Sequence, residues 1–280
     1  MSRSISRLEA RLGVQLFSRT TRQVRLTEAG SAYVAQCRQA LAQLLEAERE
    51  LTGRQVQASG TVRMSLPTSY GHYRVLPLLP AFRARYPEVQ LELQLSNRNV
   101  DFTAEGYDLA VRGRNPPDSG LIARTLEDAD LVIVASPSYL KRHRAPTSIA
   151  ALSGHECIQF VLPSTGQPVQ WRLRQDGCDF DHPTQGSIRC SEDILGPVTL
   201  ARHGSGLMQI YRFIVEEDLK SGALREVLKP FAGASRPFSL LYPGNRHMPR
   251  RTRVLIDFLI ERLSAQRAAP ATKTRTKTTR

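Results

Sequence analysis

Acidic residues are in short supply in this chain. There are 26 Asp and Glu against 39 Lys and Arg, a formal net charge of +13. No long hydrophobic run exists either. The longest, such as Leu131–Ala135, fall far short of the about 20 apolar residues that a membrane-spanning helix needs. No leader with an apolar core precedes the body, so a cytoplasmic location is expected. Cysteine is sparse: Cys37, Cys157, Cys178 and Cys190 lie far apart, with no C-x-x-C. That spacing argues against a disulfide framework or a zinc site and for free thiols in a reducing compartment. The histidines at 72, 143, 155, 182, 203 and 247 are scattered without metal-ligand spacing, so no metal is expected. There is no G-x-S-x-G elbow, and Gly204-Ser205-Gly206 lacks the Lys-Ser/Thr of a phosphate-cradling loop. An enzyme and a cofactor are therefore not expected.

What is present is length and positive charge. A chain of 280 residues holds two or three small domains, and 41% apolar residues is ordinary for a globular protein. The basic excess suits polyanions or small acids. Five of the positive charges (Arg267, Lys273, Arg275, Lys277, Arg280) lie in a Thr-rich end without apolar periodicity, so 265–280 is expected to be a disordered basic tail.

The most informative stretch is the first. Ile5, Leu8 and Leu12 share one helical face, leaving Ser2, Arg3, Ser6 and Arg7 on the other. Gly13 suits the C′ position of that helix. Arg19-Thr20-Thr21-Arg22 then forms a basic turn, and Val24 and Leu26 flank Arg25 on a returning strand. A short helix bearing Arg and Ser fits the major groove, and a basic hairpin grips phosphates beside it. A solvated amphipathic helix would carry similar charges.

The ordered string Ser2-x-x-Ile5-Ser6-x-Leu8-Glu9-x-x-Leu12-Gly13-x-x-Leu16-Phe17-x-Arg19-Thr20-Thr21-Arg22, continuing to Leu26-Thr27-Glu28-Ala29-Gly30, resembles the LysR-type transcriptional regulators. The resemblance implies that the helix carrying Ser2, Arg3, Ser6 and Arg7 enters the major groove. It implies that the wing carrying Arg19, Thr20, Thr21 and Arg22 lies along the backbone of double-stranded promoter or operator DNA. The family has two further helices ahead of this one. The winged helix-turn-helix, 1–26, is therefore expected to be partial, from a start site placed too late or a truncation.

Thr27 is a good N-cap, with Glu28 in the first turn, and no proline interrupts the next segment. Val34, Cys37, Leu41, Leu44 and Leu51 step by three and four, with Glu48 the poor fit. This makes 27–53 a long helix with a coiled-coil seam. The seam pairs two protomers or packs on its own chain; the resemblance favours a homodimer, extended to a homotetramer. Residues 54–60 read as a hinge.

From Thr61 strands and helices alternate, which argues for a largely parallel sheet covered by helices. Val62, Met64 and Leu66 mark the first strand; Val89 to Leu95 the second; Leu109 and Val111 the third; Leu131 to Ala135 the fourth. A helix opens at Thr68, although Pro77 and Pro80 are awkward in it. The markers Leu78-Pro80-x-Phe82-x-x-x-Tyr86-Pro87, Tyr107-Asp108-Leu109-Ala110-Val111-Arg112, Ala135-Ser136-Pro137-x-Tyr139-Leu140 and Asp257-Phe258-Leu259 resemble the family's effector domain. That implies a two-lobed α/β fold like that of periplasmic solute-binding proteins over 61–264, with lobe 1 at 61–134 and 238–264 and lobe 2 at 135–237.

Ligands of such folds sit where strand ends from both lobes meet. Thr68, Ser69, Asn97, Arg112, Ser136 and Asp193 are the expected lining of a small-molecule effector site, made acidic by Glu192-Asp193. Each of these residues also suits ordinary capping or turn chemistry. The chain is expected to be a ligand-responsive DNA-binding regulator; the alternative is a sensor protein without DNA binding. In a version extended upstream, replacing Arg3, Arg7, Arg19 and Arg22 by Gln together should abolish retention on promoter DNA in a gel-shift assay. Each phosphate deprived of its arginine should flatten the salt dependence by about 0.9 in slope.

Overall fold

The computed structural model describes residues 3–20, 23–51, 57–99, 101–113, 120–244 and 248–268. The opening stretch becomes helix α1 (Arg3–Leu12), and Gly13, at φ +69°, donates its amide to the Glu9 carbonyl at 2.9 Å. Strands β1 (Phe17–Thr20) and β2 (Gln23–Leu26) pair antiparallel, Phe17 opposite Leu26. Helix α2 (Glu28–Leu51) starts as expected: the Gly30 amide donates to Thr27 Oγ1 at 2.9 Å. Gly30 is required there, because a Cβ would come within 1.9 Å of the Leu16 carbonyl oxygen.

The α/β region begins with β3 (Gly60–Leu66), whose Val62, Met64 and Leu66 are fully buried. Parallel neighbours β4 (Val89–Leu95) and β5 (Leu109–Arg112) flank it. The Tyr-Asp marker before β5 is structural: Asp108 Oδ2 accepts the Arg63 amide at 2.8 Å, and burial pushes its carboxyl above the ordinary carboxylate range. Between β3 and β4 the expected helix forms in pieces. Helix α3 (Thr68–Tyr70) passes into a π-turn over Gly71–Val75 and a 3-10 turn over Leu76–Leu78 before α4 (Leu79–Arg85). Pro77 and Pro80 lack an N–H, and changing the helical pitch ahead of each removes the demand for it.

The largest departure from expectation is the sheet. After α5 (Phe102–Glu105) and β5, the chain forms β6 (Leu121–Ala135), of which the sequence pattern marks only the last residues. Its first half, Leu121 to Thr125 and on to Asp130, pairs antiparallel with β13 (Ser235–Pro243), across a bulge at Phe238/Ser239. Its second half pairs antiparallel with β11 (Met208–Tyr211) and β12 (Arg225–Val227). The order is β11-β6-β13-β5-β3-β4, so only β3, β4 and β5 are parallel and the rest is antiparallel. The first half of β6, IARTLEDAD, is rich in charge and largely exposed, which hides it from the hydrophobic pattern.

Beyond β6 come α6 (Pro137–Arg142), β7 (Gln159–Val161), β10 (Arg189–Ser191), α7 (Leu195–Arg202) and α8 (Arg212–Ser221). Between β7 and β10 lies the antiparallel hairpin of β8 (Trp171–Gln175) with β9 (Cys178–His182). Its turn is Asp176-Gly177, both at positive φ (52° and 80°), the combination that two-residue hairpins favour. Helix α9 (Arg250–Ala268) closes the fold against β3 and β6, burying Leu255, Phe258, Leu259 and Leu263. It runs into the segment expected to be tail, since Ser264 to Ala268 contains no helix breaker; 269–280 lie outside the described residues.

Among the described residues, no helix is long and apolar enough to cross a membrane, and no group of His, Cys, Asp and Glu stands close enough to hold a metal ion. Phe82 is fully buried, with ring centroids 5.1 Å from Tyr86 and 5.3 Å from Phe258. Phe82→Ala should lower unfolding free energy by about 3–5 kcal/mol in urea denaturation.

Candidate functional site

Two sites take shape. The first is the α1–hairpin head. Arg3, Ser6 and Arg7 are exposed on α1, and no residue of this helix is buried. Ile5 and Leu8 border an apolar groove completed by Leu16, Phe17, Tyr33, Val34, Cys37, Arg38 and Leu41. The turn between α1 and β1 is held by Glu9, whose Oε1 accepts the amides of Leu16 at 2.8 Å and Phe17 at 3.1 Å. Thr27 Oγ1 donates to the Gln15 carbonyl at 2.7 Å, so one residue both caps α2 and ties it to the hairpin. Arg19 and Thr20 are in β1, while Ser2, Thr21 and Arg22 lie outside the described residues. On α2, Cys37, Leu41 and Leu44 are exposed, Leu44 at 58%, and Val34 is half-buried. Leu51 ends the helix. Three of the expected seam residues, Val34, Cys37 and Leu41, thus border the groove shared with α1.

The second site is a cavity of about 530 Å³ beside the β6–β13 crossing. The β3 side contributes Pro67, Ser69, Asn97, Phe102 and Arg112. The far side contributes Phe160, Trp171, Ile194, Gln209 and Tyr211, and β13 contributes Phe238 and Leu241. Of the six expected lining residues, Ser69, Asn97 and Arg112 are there; Thr68, Ser136 and Asp193 are not. Ser136 is 2% exposed and caps α6: its Oγ accepts the Tyr139 amide at 3.3 Å and lies 2.8 Å from Ser138 Oγ. Asp193 is exposed and accepts the Leu195 amide at 3.0 Å, opening α7. Thr68 sits one residue before Ser69 and stays out of the lining, its amide donating to Asn97 Oδ1 at 3.3 Å. The expected acidity is also corrected. Neither Glu192 nor Asp193 lines the cavity; its charged lining residues are Arg112 and Arg236.

Asn97 joins the two sides. Its Oδ1 accepts the Thr68 amide, and its Nδ2 donates to the carbonyl of Glu192, a residue held at φ +63°. Arg112 is 8% exposed. Nη1 donates to the carbonyls of Ser65 (3.3 Å) and Val111 (2.6 Å), and Nη2 to Ser65 Oγ (2.9 Å) and the Arg98 carbonyl (2.8 Å). Burial lowers its guanidinium to about 10. Beneath the cavity Tyr70 stacks on Phe238 at 4.1 Å, and Tyr211 lies 5.0 Å from the same ring.

The aromatic wall was missed by sequence reasoning. Phe102, Phe160, Trp171 and Tyr211 come from four separate elements, and their type alone does not separate lining from core. The usable clue is the Trp-Arg-Leu-Arg alternation ahead of Asp-Gly, which announces the hairpin that carries Trp171.

An α1–hairpin head, a long helix and a two-lobed α/β domain with a cavity between lobes define a class: a sensor domain joined to a DNA reader. The LysR substrate binding domain matches residues 55–264, and the bacterial regulatory helix-turn-helix of the lysR family matches residues 1–31. The chain belongs to the LysR family of transcriptional regulators. It is 33% identical over 271 residues to the probable HTH-type transcriptional regulator LtrA of Klebsiella pneumoniae, covering 96% of this chain and 87% of that one. Among solved structures, CrgA of Neisseria meningitidis, a LysR-type regulator, superposes with a TM-score of 0.65 at 30% identity, covering 93% of this chain and 88% of that one. The full-length Vibrio cholerae virulence activator AphB gives 0.64 at 29% identity, covering 92% and 88%. This chain is a ligand-responsive, DNA-binding regulator and not an enzyme; like other members it binds DNA and a small-molecule effector and is oligomeric.

Asn97→Ala removes the bridge to the Glu192 carbonyl. Amide hydrogen exchange in 189–194 should accelerate in the variant, while the rates of the fully buried β3 amides stay unchanged.

Proposed function

We propose that the cavity beside the β6–β13 crossing is the effector site, and that its occupancy is passed to the linker helix through α5. The observation that carries this reading is Phe102. It lines the cavity from α5, and α5 in turn lies against α2. A ligand that presses on Phe102 acts on an element that touches the helix leading to the DNA-reading head. Allostery requires a contact that differs between two states, and α5 is where the ligand would make it.

The remaining assignments follow the same frame. Arg3, Ser6 and Arg7 read bases and phosphates, with Ser2 beside them. The wing, Arg19, Thr20, Thr21 and Arg22, holds the backbone. The exposed apolar row on α2, with Leu41 at 57% and Leu44 at 58%, pairs two protomers, and Leu51 continues it; effector domains then join dimers into a tetramer. The head comprises 1–26, the linker 27–53, the hinge 54–60, and the two lobes meet within β6 and β13. As a regulator of chromosomal promoters the protein works in the cytoplasm.

The test starts from a thermal-shift screen of bacterial metabolites against the full chain. A ligand so found should raise the melting midpoint of the wild type and leave that of Ile194→Trp unmoved, since the larger indole at 194 takes up cavity space. A shift that survives in Ile194→Trp places the site elsewhere. Phe102→Ala, compared with wild type at ligand concentrations that saturate each protein, should lose the ligand-dependent change in promoter affinity, measured by fluorescence anisotropy. If the coupling persists in that variant, α5 is not the route.

A further inference from the structure

The cavity wall carries charge of one sign. Arg112 and Arg236 line it, and no Asp or Glu does among the described residues. A guanidinium has five N–H donors. Four of Arg112's are engaged by the oxygens of Ser65, Val111 and Arg98, none of them a carboxylate, and the fifth, on Nε, is buried without a partner. No carboxylate lies within ion-pair distance of Arg112 among the described residues. Peptide and hydroxyl oxygens offset the desolvation of this buried cation only in part, because none carries a full negative charge. An anion in the cavity would offset more of it.

The rest of the lining is of the opposite character. Phe102, Phe160, Trp171 and Phe238 bring four rings to a space of about 530 Å³, room for one small organic molecule. A wall of ring faces and edges suits an aromatic ring better than an extended chain.

Resting on the reading of this cavity as the effector site, we propose that the effector is a small aromatic carboxylic acid bound as its anion, the carboxylate set against the Arg112 guanidinium and the ring held among Phe102, Phe160, Trp171 and Phe238.

Isothermal titration of the full wild-type chain at neutral pH tests this with three probes: phenylacetate, its uncharged amide phenylacetamide, and acetate. Phenylacetate should bind at least tenfold more tightly than either of the others, the amide lacking the charge and acetate the ring. That comparison needs no altered protein. Arg112→Gln, where it folds, should erase the preference for acid over amide. An amide that binds wild type as tightly as the acid overturns the acid assignment, and acetate equal to phenylacetate overturns the aromatic one. In either case loss of binding in Ile194→Trp shows that the cavity reading itself still stands. Absence of phenylacetate binding at millimolar concentration also overturns the proposal. Phenylacetate binding that Ile194→Trp leaves unchanged puts the acid at another place and sinks both readings together.

Discussion

The antiparallel pairing of β6 with β13 is the constraint on which the effector domain depends. These two strands run side by side past the point where one lobe gives way to the other, from Leu121 opposite Pro243 to Asp130 opposite Ser235. One end of β6 then serves β11 and β12, while β13 serves β5. A pair of hydrogen-bonded strands resists stretching but bends at a bulge, and the register shift at Phe238/Ser239 lies at that crossing. Phe238 stacks on Tyr70 and also meets Tyr211. The rings beneath the cavity therefore stand at the bulge of the β6–β13 pair.

The cavity gathers groups that could not meet otherwise. Arg112 ends a parallel strand, Trp171 comes from a hairpin, Phe102 from a one-turn helix, and Ile194 from the start of α7. Carbonyls from Ser65 and Arg98 surround the guanidinium, a two-residue turn stands behind the tryptophan, and the Asn97 bridge holds Glu192 two residues ahead of Ile194. Because α5 reaches both this cavity and α2, the cavity and the long helix share an element.

The DNA-reading head is held more lightly. α1 buries nothing, and Leu12, Val14 and Val24 stay exposed at 38%, 47% and 67%. What orders this region is hydrogen bonding: Glu9 to the Leu16 and Phe17 amides, and Thr27 to Gln15 and Gly30. Such bonds contribute about 1 kcal/mol each.

Elements whose cause is local are legible in the chain itself. The three-and-four spacing of Ile5, Leu8 and Leu12, the Thr27 cap, and the buried alternation of Val62, Met64 and Leu66 are all read from near neighbours, and they form as read. The ordered string through Gly30 placed the chain in its family for the same reason. The antiparallel half of the sheet is set only by folding, because the charged first part of β6 is a strand only through its partner β13. Folding also sets which polar residues face the cavity. Ser136 and Asp193 have the right types but serve as caps, whereas Arg112 stands at the cavity because the peptide oxygens of residues far apart in sequence surround it. Capping joins neighbours in the chain; a binding site joins strangers, and only the folded chain introduces them.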